Sequence, residues 1–233
     1  MSGPSGELWL SRIRLRREAP VAALARLLVP EGEGARTAAG HHLIWSVFSD
    51  GPERRRDFLW REEAPGRFLA LSARRPEDAT GLFTVESRPF EPALAPGDRL
   101  GFALRANPVV SRTAGPGRRG QRHDVVMDAL RHVPPGPERA EARPATILSA
   151  GRAWLAGQGE RHGFRPDGTV AVDGYERRPV PREGGGTAVL GVLEFEGVLT
   201  VEDPARFLAA LAAGFGKARA FGLGLMLIRR DRR

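Results

Sequence analysis

Alternating apolar and polar residues near the start of the chain predict β-strands. Over residues 8–15 one face carries Trp9, Ser11, Ile13 and Leu15, and the other carries Leu10 followed by arginines, because successive side chains of a strand point to opposite sides. The segments 57–60 and 67–71 predict two further strands, paired through an Ala-Pro-Gly turn. Residues 83–86 predict a fourth strand, so this part of the chain favours a small sheet.

Helical patterns separate these strands. Residues 20–28 have the spacing of a short amphipathic helix, and the glycine-containing segment 32–40 is expected to interrupt the pattern. A second helix is then predicted over 41–48, and residues 76–81 predict a short connection with one helical turn. The order of elements is the β-α-β-β-α-β pattern of a ferredoxin-like unit.

The same order of elements returns after a proline-rich segment, with prolines at 89, 92 and 96. Strands are predicted at 100–110, 169–172, 188–201 and 222–230. Helices are predicted at 145–158 and at 204–213, where Asp203 is the expected N-cap and Pro204 the first helical residue. Residues 122–133 form an additional helix-like stretch. We therefore expect an α+β fold of two tandem ferredoxin-like (RRM-like) domains, at 1–90 and 99–233, with a linker at 91–98.

Composition and charge exclude several classes of function and favour others. The 233 residues carry 36 Lys+Arg and 28 Asp+Glu, a formal net charge of +8, which favours a polyanionic partner because phosphate contacts by cations release counterions. Absence of cysteine excludes disulfides, a thiolate nucleophile and Cys-based metal sites, and the five histidines show no metal-ligand spacing. No apolar run approaches the roughly 20 residues of a membrane span, and no secretory segment is visible, so we expect a soluble, cytoplasmic protein.

A glycine-rich loop at 214–224 is the first candidate functional site. Gly214, Gly216, Gly222 and Gly224 bracket two cations, Lys217 and Arg219. Glycines allow backbone N–H groups to approach an anion closely, although they also end helices and form turns. The loop lies between a predicted helix and a strand, unlike Walker and Rossmann loops, which follow a strand. The doubled Gly-x-Gly spacing around cations favours contact with a phosphate backbone.

Further arginines are candidates for nucleic-acid contact, with solvated surface as the alternative interpretation. Arg105 and Asn107 share one face of a predicted strand. The glycine-rich tract 112–122 contains Arg118, Arg119 and Arg122 and is expected to be a mobile loop that orders on nucleic acid. Basic residues before three consecutive glycines, Arg177, Arg178 and Arg182, favour a basic β-hairpin.

The pair His41-His42 stands at the predicted start of the second helix. His41, Ile44, Trp45 and Phe48 share a helical face, so a partly buried histidine at the edge of the core is the alternative to a functional one. A helix N-terminus lowers the pKa of an imidazole and favours the neutral base needed for proton abstraction. No competing catalytic group is visible: the chain has no cysteine, no recognisable carboxylate pair and no metal motif.

Several motifs in order along the chain together resemble one family. They are HHLIWSVF at 41–48, RDFL at 56–59, FALRANP at 102–108, AWL at 153–155, FEGVLTV at 195–201 and the glycine loop. The set resembles the CasE (Cse3) family, the CRISPR repeat-processing endoribonucleases of the subtype I-E Cascade complex. The motifs span nearly the whole chain.

The resemblance implies two ferredoxin-like domains and a protein that cuts precursor CRISPR RNA at the base of a repeat hairpin. It implies that the 2′-hydroxyl of the RNA is the nucleophile and that no metal or other cofactor is required. The family's catalytic histidine corresponds to His41, with His42 as the fallback, acting as general base or general acid. Members often carry a tyrosine three residues before this histidine; here Ala38 stands there. Either His41 acts without that helper, or another donor such as Arg36 or His42 replaces it.

The implied partners are the repeat stem-loop, the mature crRNA and the other Cascade subunits, with no membrane. In this family a basic hairpin lies along the RNA stem and recognises shape more than sequence. The expected RNA contacts are Arg105, Asn107, Arg118, Arg119, Arg122, Arg177, Arg178, Gly214, Gly216, Lys217, Arg219, Gly222 and Gly224. Two alternatives are a non-catalytic RNA-hairpin-binding subunit of the same fold, suggested by Ala38, and a general basic RNA-binding module.

Overall fold

The computed structural model describes residues 7–16, 18, 33–48, 56–113, 115, 120–181 and 186–231. Within these ranges the chain forms two four-stranded antiparallel sheets, one after the other in sequence, and a separate two-stranded ribbon. The helix predicted at 20–28 lies outside the described residues.

The first sheet is built from residues 9–89. Its elements are β1 (Trp9–Leu15), α1 (Glu33–Phe48), β2 (Phe58–Ala64), β3 (Arg67–Ser72) and β4 (Phe83–Pro89). The strands lie in the order β2-β3-β1-β4, so the first strand is central, as in a ferredoxin-like unit.

Burial along β1 follows the alternation seen in the sequence. Ser11 and Ile13 are buried, whereas Arg12 and Arg14 are exposed on the opposite face. The buried face packs on α1 through a cluster that includes Ile44. Apolar side chains on one face of β1 therefore define which side of the sheet the helix covers.

The helix α1 is longer than predicted. It begins at Glu33 rather than at His41, so the segment 32–40 does not interrupt it. Alanines at 35, 38 and 39 favour helix. Gly40 is tolerated because it lies against Trp60, where a Cβ would come within 3.0 Å of the indole ring. This glycine therefore allows close packing of the indole ring and does not interrupt the helix.

The helical turn predicted within 76–81 does not form, and residues 73–82 are irregular. The Asp78 carboxylate accepts hydrogen bonds from the hydroxyl and backbone N–H of Thr80 and from the backbone N–H of Phe83. An aspartate that bonds the backbone ahead of it stabilises a turn in competition with a helix.

The second sheet begins with β5 (Arg99–Ala106). The strand predicted over 100–110 is divided, because Pro108 lacks the N–H needed to continue the ladder. The chain then forms the ribbon of β6 (Val109–Arg112) and β7 (Gln121–Asp124). The helix predicted over 122–133 is correspondingly shorter: α2 spans Val125–Ala129, followed by a 3₁₀ turn at Leu130–His132.

The remaining elements complete the second sheet. They are α3 (Pro137–His162), β8 (Phe164–Pro181), β9 (Thr187–Val201), α4 (Pro204–Ala213), a 3₁₀ turn (Arg219–Phe221) and β10 (Met226–Arg230). The predicted N-cap of α4 is confirmed, since the Asp203 carboxylate accepts a hydrogen bond from the backbone N–H of Arg206. The last strand begins at Met226 rather than Gly222, because the glycines before it belong to a loop.

The strand order β10-β5-β9-β8 repeats that of the first sheet, with the unit's first strand again central. The predicted α+β fold of two tandem ferredoxin-like units is therefore confirmed. The exact bounds 1–90, 91–98 and 99–233 stay a prediction. Among the described helices, none is both long and apolar enough to cross a membrane.

The two sheets contact each other through a small apolar cluster. Leu59 and Leu71 from the first sheet pack with Leu225, which directly precedes β10. All three side chains are at most 3% exposed. This contact brings β2 of the first unit close to the loop that follows α4 in the second.

Candidate functional site

The glycine loop 214–224 folds back on the end of β5. The backbone N–H of Lys217 donates to the carbonyl of Asn107 (3.1 Å), and the N–H of Gly224 donates to the carbonyl of Arg105 (2.8 Å). Gly216 and Gly224 both have positive φ, and a Cβ would lie 2.8 Å from the Asn107 oxygen at Gly216 and 2.5 Å from the Phe215 oxygen at Gly224. These two glycines are thus required by the close approach of backbone to backbone; their phosphate contact stays a prediction.

The 3₁₀ turn in this loop brings one backbone carbonyl to the first unit. The oxygen of Ala220 lies 2.9 Å from Nδ1 of His41 and 3.1 Å from Nε1 of Trp60. A carbonyl only accepts hydrogen bonds, so Nδ1 of His41 carries the proton in this contact. In the neutral ring the lone pair is then on Nε2. The second unit therefore fixes the tautomer of a histidine that belongs to the first.

His41 lies in the interior of α1, eight residues after the helix begins at Glu33, which corrects the expected position at a helix start. The helix dipole acts within the first turn and does not account for the properties of this side chain. Burial lowers the pKa of His41, the hydrogen bond to Ala220 opposes this shift, and the nearby charges of His42 and Arg56 add to it. The ring is accordingly neutral at neutral pH, as the sequence predicted, but for a different reason.

Aromatic rings surround His41. Its ring centroid lies 6.2 Å from Trp45, 6.1 Å from Phe221 and 5.5 Å from His42. His42 is exposed, and its side chain forms no hydrogen bond seen among the described residues. His41 is thus the histidine whose orientation the protein fixes, and His42 is the less constrained neighbour.

The glycine loop and the segment before β2 contribute three further cations, of which Arg56 acts on His41. Lys217 is exposed on the glycine loop, and Arg219 is partly buried there, with its guanidinium donating to the carbonyl of Ala213. Arg56 precedes β2 and is also partly buried. Burial lowers the pKa of Arg56 and the charge of Arg219 lowers it further, while the charge of Arg56 acts on His41.

Two residues predicted to contact RNA, at the end of β5, have protein partners, and their RNA contact stays a prediction. Arg105 donates from Nε (2.8 Å) and Nη2 (2.5 Å) to the carboxylate of Glu194, which also lies 3.9 Å from Arg61. Asn107 is 5% exposed and donates from Nδ2 to the carbonyl of Gly191 (2.7 Å). Both side chains stabilise the strand end on which the glycine loop rests, and the buried Asn107 side chain does not face solvent.

The predicted basic hairpin forms between β8 and β9, which pair up to Pro181 opposite Thr187. Arg177 is exposed on it. Arg178 is only 11% exposed and pairs with Glu176 at 2.9 Å, so its charge is compensated within the protein.

Arg122 is exposed on β7. The side chains of Arg36 and Ala38, and all of Arg118, Arg119 and Arg182, lie outside the described part of the chain. Within the described ranges, no three His, Asp or Glu side chains cluster in a way that could hold a metal ion.

The structure adds Arg56, Trp60 and Ala220 to the site, which the sequence did not single out. Arg56 lies in the RDFL motif, and its charge was the only available indication. Trp60 resembled any other core aromatic of a strand. Ala220 contributes through its backbone carbonyl, for which no side-chain pattern exists.

Comparison with known proteins gives a consistent assignment. The model of the family described as CRISPR associated protein matches residues 8–230. The CRISPR-associated endoribonuclease Cse3 of Thermus thermophilus is 34% identical over 241 aligned positions, covering 95% of this chain and 99% of the relative. The CRISPR system Cascade subunit CasE of Escherichia coli K12 is 26% identical over 197 positions, covering 80% of this chain and 88% of the relative.

Solved structures of related proteins support the same assignment. The structure of Cse3 bound to a 19-nucleotide RNA matches with a TM-score of 0.66 and 28% identity, covering 96% of this chain and 100% of that one. The structure of Thermus thermophilus Cse3 bound to an RNA representing a pre-cleavage complex matches with the same TM-score and identity, covering 96% and 99%. Sequence and structure therefore assign this chain to the CRISPR-associated protein family, in the group of Cse3 and CasE.

Proposed function

We propose that this chain is a metal-independent endoribonuclease that cuts precursor CRISPR RNA at the base of the repeat stem-loop. The observation that carries the proposal is His41, a neutral imidazole whose Nδ1–H is held by Ala220 and whose Nε2 carries the lone pair. The relatives support the substrate, since one is named an endoribonuclease and its solved structures contain RNA. The mature guide RNA is proposed to remain with other Cascade subunits in the cytoplasm, in line with a relative named as a Cascade subunit.

The proposed reaction uses the RNA's own nucleophile. The 2′-oxygen upstream of the scissile phosphate bonds to phosphorus, the bond from phosphorus to the 5′-oxygen breaks, and the products carry a 2′,3′-cyclic phosphate and a 5′-hydroxyl. Since the nucleophile is already attached to the substrate, the protein needs only to align it, move protons and stabilise charge. Two protons are involved, one leaving the 2′-hydroxyl and one arriving at the 5′-oxygen.

Nε2 of His41 is the proposed atom for one of these proton transfers. As a base it takes the 2′-hydroxyl proton; as an acid, in the imidazolium form, it gives a proton to the 5′-oxygen. In both cases the Nδ1–H bond to Ala220 remains, and the carbonyl stabilises the positive ring. The glycine loop thereby supports a charge that exists only during the reaction.

The test is cleavage of the cognate repeat RNA by excess protein in EDTA. We expect full cutting with a cyclic phosphate product, and no cutting of an RNA with a 2′-deoxy nucleotide before the scissile phosphate. Loss of activity in EDTA with recovery on adding Mg²⁺, or cutting of the deoxy substrate, would contradict the mechanism. An unrelated hairpin at matched salt is the specificity control.

A second candidate is a non-catalytic subunit that binds the repeat hairpin. Ala38 favours it, because this side chain offers no donor where the family often has a tyrosine. The same assay separates the two functions. Tight binding of an RNA that stays intact with protein in excess supports the second candidate and overturns the first.

A further inference from the structure

Among the residues that the structure describes, no carboxylate forms an ion pair with Arg56. Its side chain is partly buried, and its Nη1 is buried with no hydrogen-bond partner among the described residues. The charged group that acts on it is also cationic, Arg219 of the glycine loop, and the charge of Arg56 in turn acts on the imidazole of His41. The adjacent carboxylate, Asp57, forms an ion pair with Arg74 at 2.8 Å.

Three other partly buried arginines of the described chain differ in this respect. Arg105 pairs with Glu194, Arg178 pairs with Glu176, and Arg61, which also has a buried Nη1 without a partner, lies 3.9 Å from Glu194. Each of these cations therefore has a carboxylate beside it. At Arg56 the neighbouring charges have the same sign.

Holding a partly buried guanidinium next to another cation costs free energy, because both desolvation and repulsion oppose its charge. An anion that binds beside Arg56 offsets this free-energy cost, because its charge attracts the guanidinium. A phosphodiester fits best, because the planar guanidinium donates in the geometry that phosphate oxygens accept. Arg219 already donates to the carbonyl of Ala213, whereas Nη1 of Arg56 is buried without a hydrogen-bond partner among the described residues.

We propose that Arg56 is a further catalytic residue, which donates from its partly exposed guanidinium to a non-bridging oxygen of the scissile phosphate. This inference rests on the proposed function, since it places the phosphate beside Nε2 of His41. Attack by the 2′-oxygen puts additional negative charge on the non-bridging oxygens, and a fixed donor aimed at one of them stabilises that charge. Arg56 takes no part in proton transfer, so the bonds made and broken are those of the proposed reaction. It supplies a donor in a site where Ala38 supplies none.

The first test compares Arg56→Gln with Arg12→Gln as a matched control. Both variants remove one positive charge from the first unit, but Arg12 is 53% exposed and lies 3.7 Å from Glu86 on the sheet. With saturating protein we expect Arg56→Gln to slow cleavage by about 100-fold, the cost of removing one donor to a developing oxyanion. Arg12→Gln should cut at the wild-type rate. Both should bind the uncleavable 2′-deoxy RNA within a few-fold of wild type.

The second test replaces each non-bridging oxygen of the scissile phosphate by sulfur. Sulfur accepts hydrogen bonds poorly, so one of the two phosphorothioate isomers should slow the wild-type protein. Arg56→Gln should be insensitive to that same isomer, because its contact is already missing. Arg56→Lys keeps the charge and changes the donor geometry; it should cut faster than Arg56→Gln, and it provides the measurement if Arg56→Gln does not fold.

The outcomes separate this inference from the proposed function. If wild type cuts and Arg56→Gln matches Arg12→Gln in rate and in its response to sulfur, the assignment of Arg56 is wrong and the endoribonuclease stands. If wild type leaves the cognate RNA intact, or His41→Ala cuts it normally, the proposed function itself fails. A selective loss of rate and of the sulfur effect in Arg56→Gln supports both.

Discussion

At the scale of single residues, the site depends on how His41 is held. Ala220 accepts the Nδ1–H bond and determines which nitrogen is available, while burial determines that the ring is neutral. Trp60 donates to the same carbonyl, so two side chains of the first unit meet one backbone oxygen of the second. The chemistry assigned to one nitrogen thus requires three residues from separate parts of the sequence.

The charge of Arg56 should be measurable at His41. Because Arg56 contributes to lowering the pKa of His41, Arg56→Gln should raise that pKa, and the pH–rate profile should move to higher pH. NMR titration of the imidazole in the RNA-free protein measures the first shift directly. Arg12→Gln should leave the His41 titration where it is, and an equal shift in both variants would contradict a local interaction.

The same pKa has a consequence for stability. The folded-state pKa of His41 is lowered, so between that value and the ordinary one the unfolded chain binds more protons than the folded chain. The contribution of His41 to the free energy of unfolding therefore rises with pH through this window and is lost as pH falls through it.

At the scale of elements, the glycine loop acts on the site through its backbone groups. Its conformation is set by hydrogen bonds from Lys217 and Gly224 to the end of β5, and it presents the Ala220 carbonyl to α1. Asn107 and Arg105 stabilise that strand end through Gly191 and Glu194. Motif residues expected to touch RNA thereby act on the site through the loop.

Gly224→Ala and Gly97→Ala form a matched pair, because both positions have φ of +89°. At Gly97 nothing lies within 4 Å of the added methyl group, whereas at Gly224 the Phe215 oxygen would lie at 2.5 Å. Gly97→Ala should lose about 1–2 kcal/mol of unfolding free energy from backbone strain alone. Gly224→Ala should lose about 1–3 kcal/mol more through overpacking and should cleave poorly. Denaturant unfolding and cleavage rates measure both, and equal losses would contradict the packing role.

Much of this organisation could be predicted from the sequence, and the failures have physical causes. The alternation of apolar and polar residues predicted the strands of the sheets, and the Asp203 N-cap predicted α4. The helical face that carries His41 was also predicted correctly. The start of α1 was wrong because a glycine that breaks a helix and one that admits an indole ring, as Gly40 does, look alike in sequence. The partner of Arg105 lies 89 residues away, a distance that local patterns do not reach.

At the scale of the whole molecule, function is proposed to arise where two similar units meet. The first contributes His41 and Arg56, the second contributes the Ala220 carbonyl and Arg219, and a leucine cluster joins their sheets. The net charge of +8 then provides the general attraction for RNA. Local contacts and long-range charge thus have separate roles, in the cleavage step and in binding.

Varying the salt concentration should distinguish the role of long-range charge in RNA binding from the role of local contacts in cleavage. Affinity for the repeat RNA should fall linearly with salt on logarithmic axes, and Arg177→Gln should reduce the slope by about 0.7–0.9, the share of one phosphate contact. Arg177 is exposed on the hairpin, so its loss should leave the cleavage rate of saturated protein unchanged. Affinity measurements at several salt concentrations check this, with Arg12→Gln as control. An unchanged slope for Arg177→Gln would remove the hairpin from the RNA interface.

The central claim is that Nε2 of His41 transfers a proton during RNA cleavage. Single-turnover cleavage of the cognate repeat RNA by His41→Ala, next to His42→Ala, tests it most directly. We expect His41→Ala to bind the RNA within a few-fold of wild type and to leave it uncut, while His42→Ala retains most of the activity. Cutting by His41→Ala at the wild-type rate, or loss of cleavage in His42→Ala alone, would contradict the account.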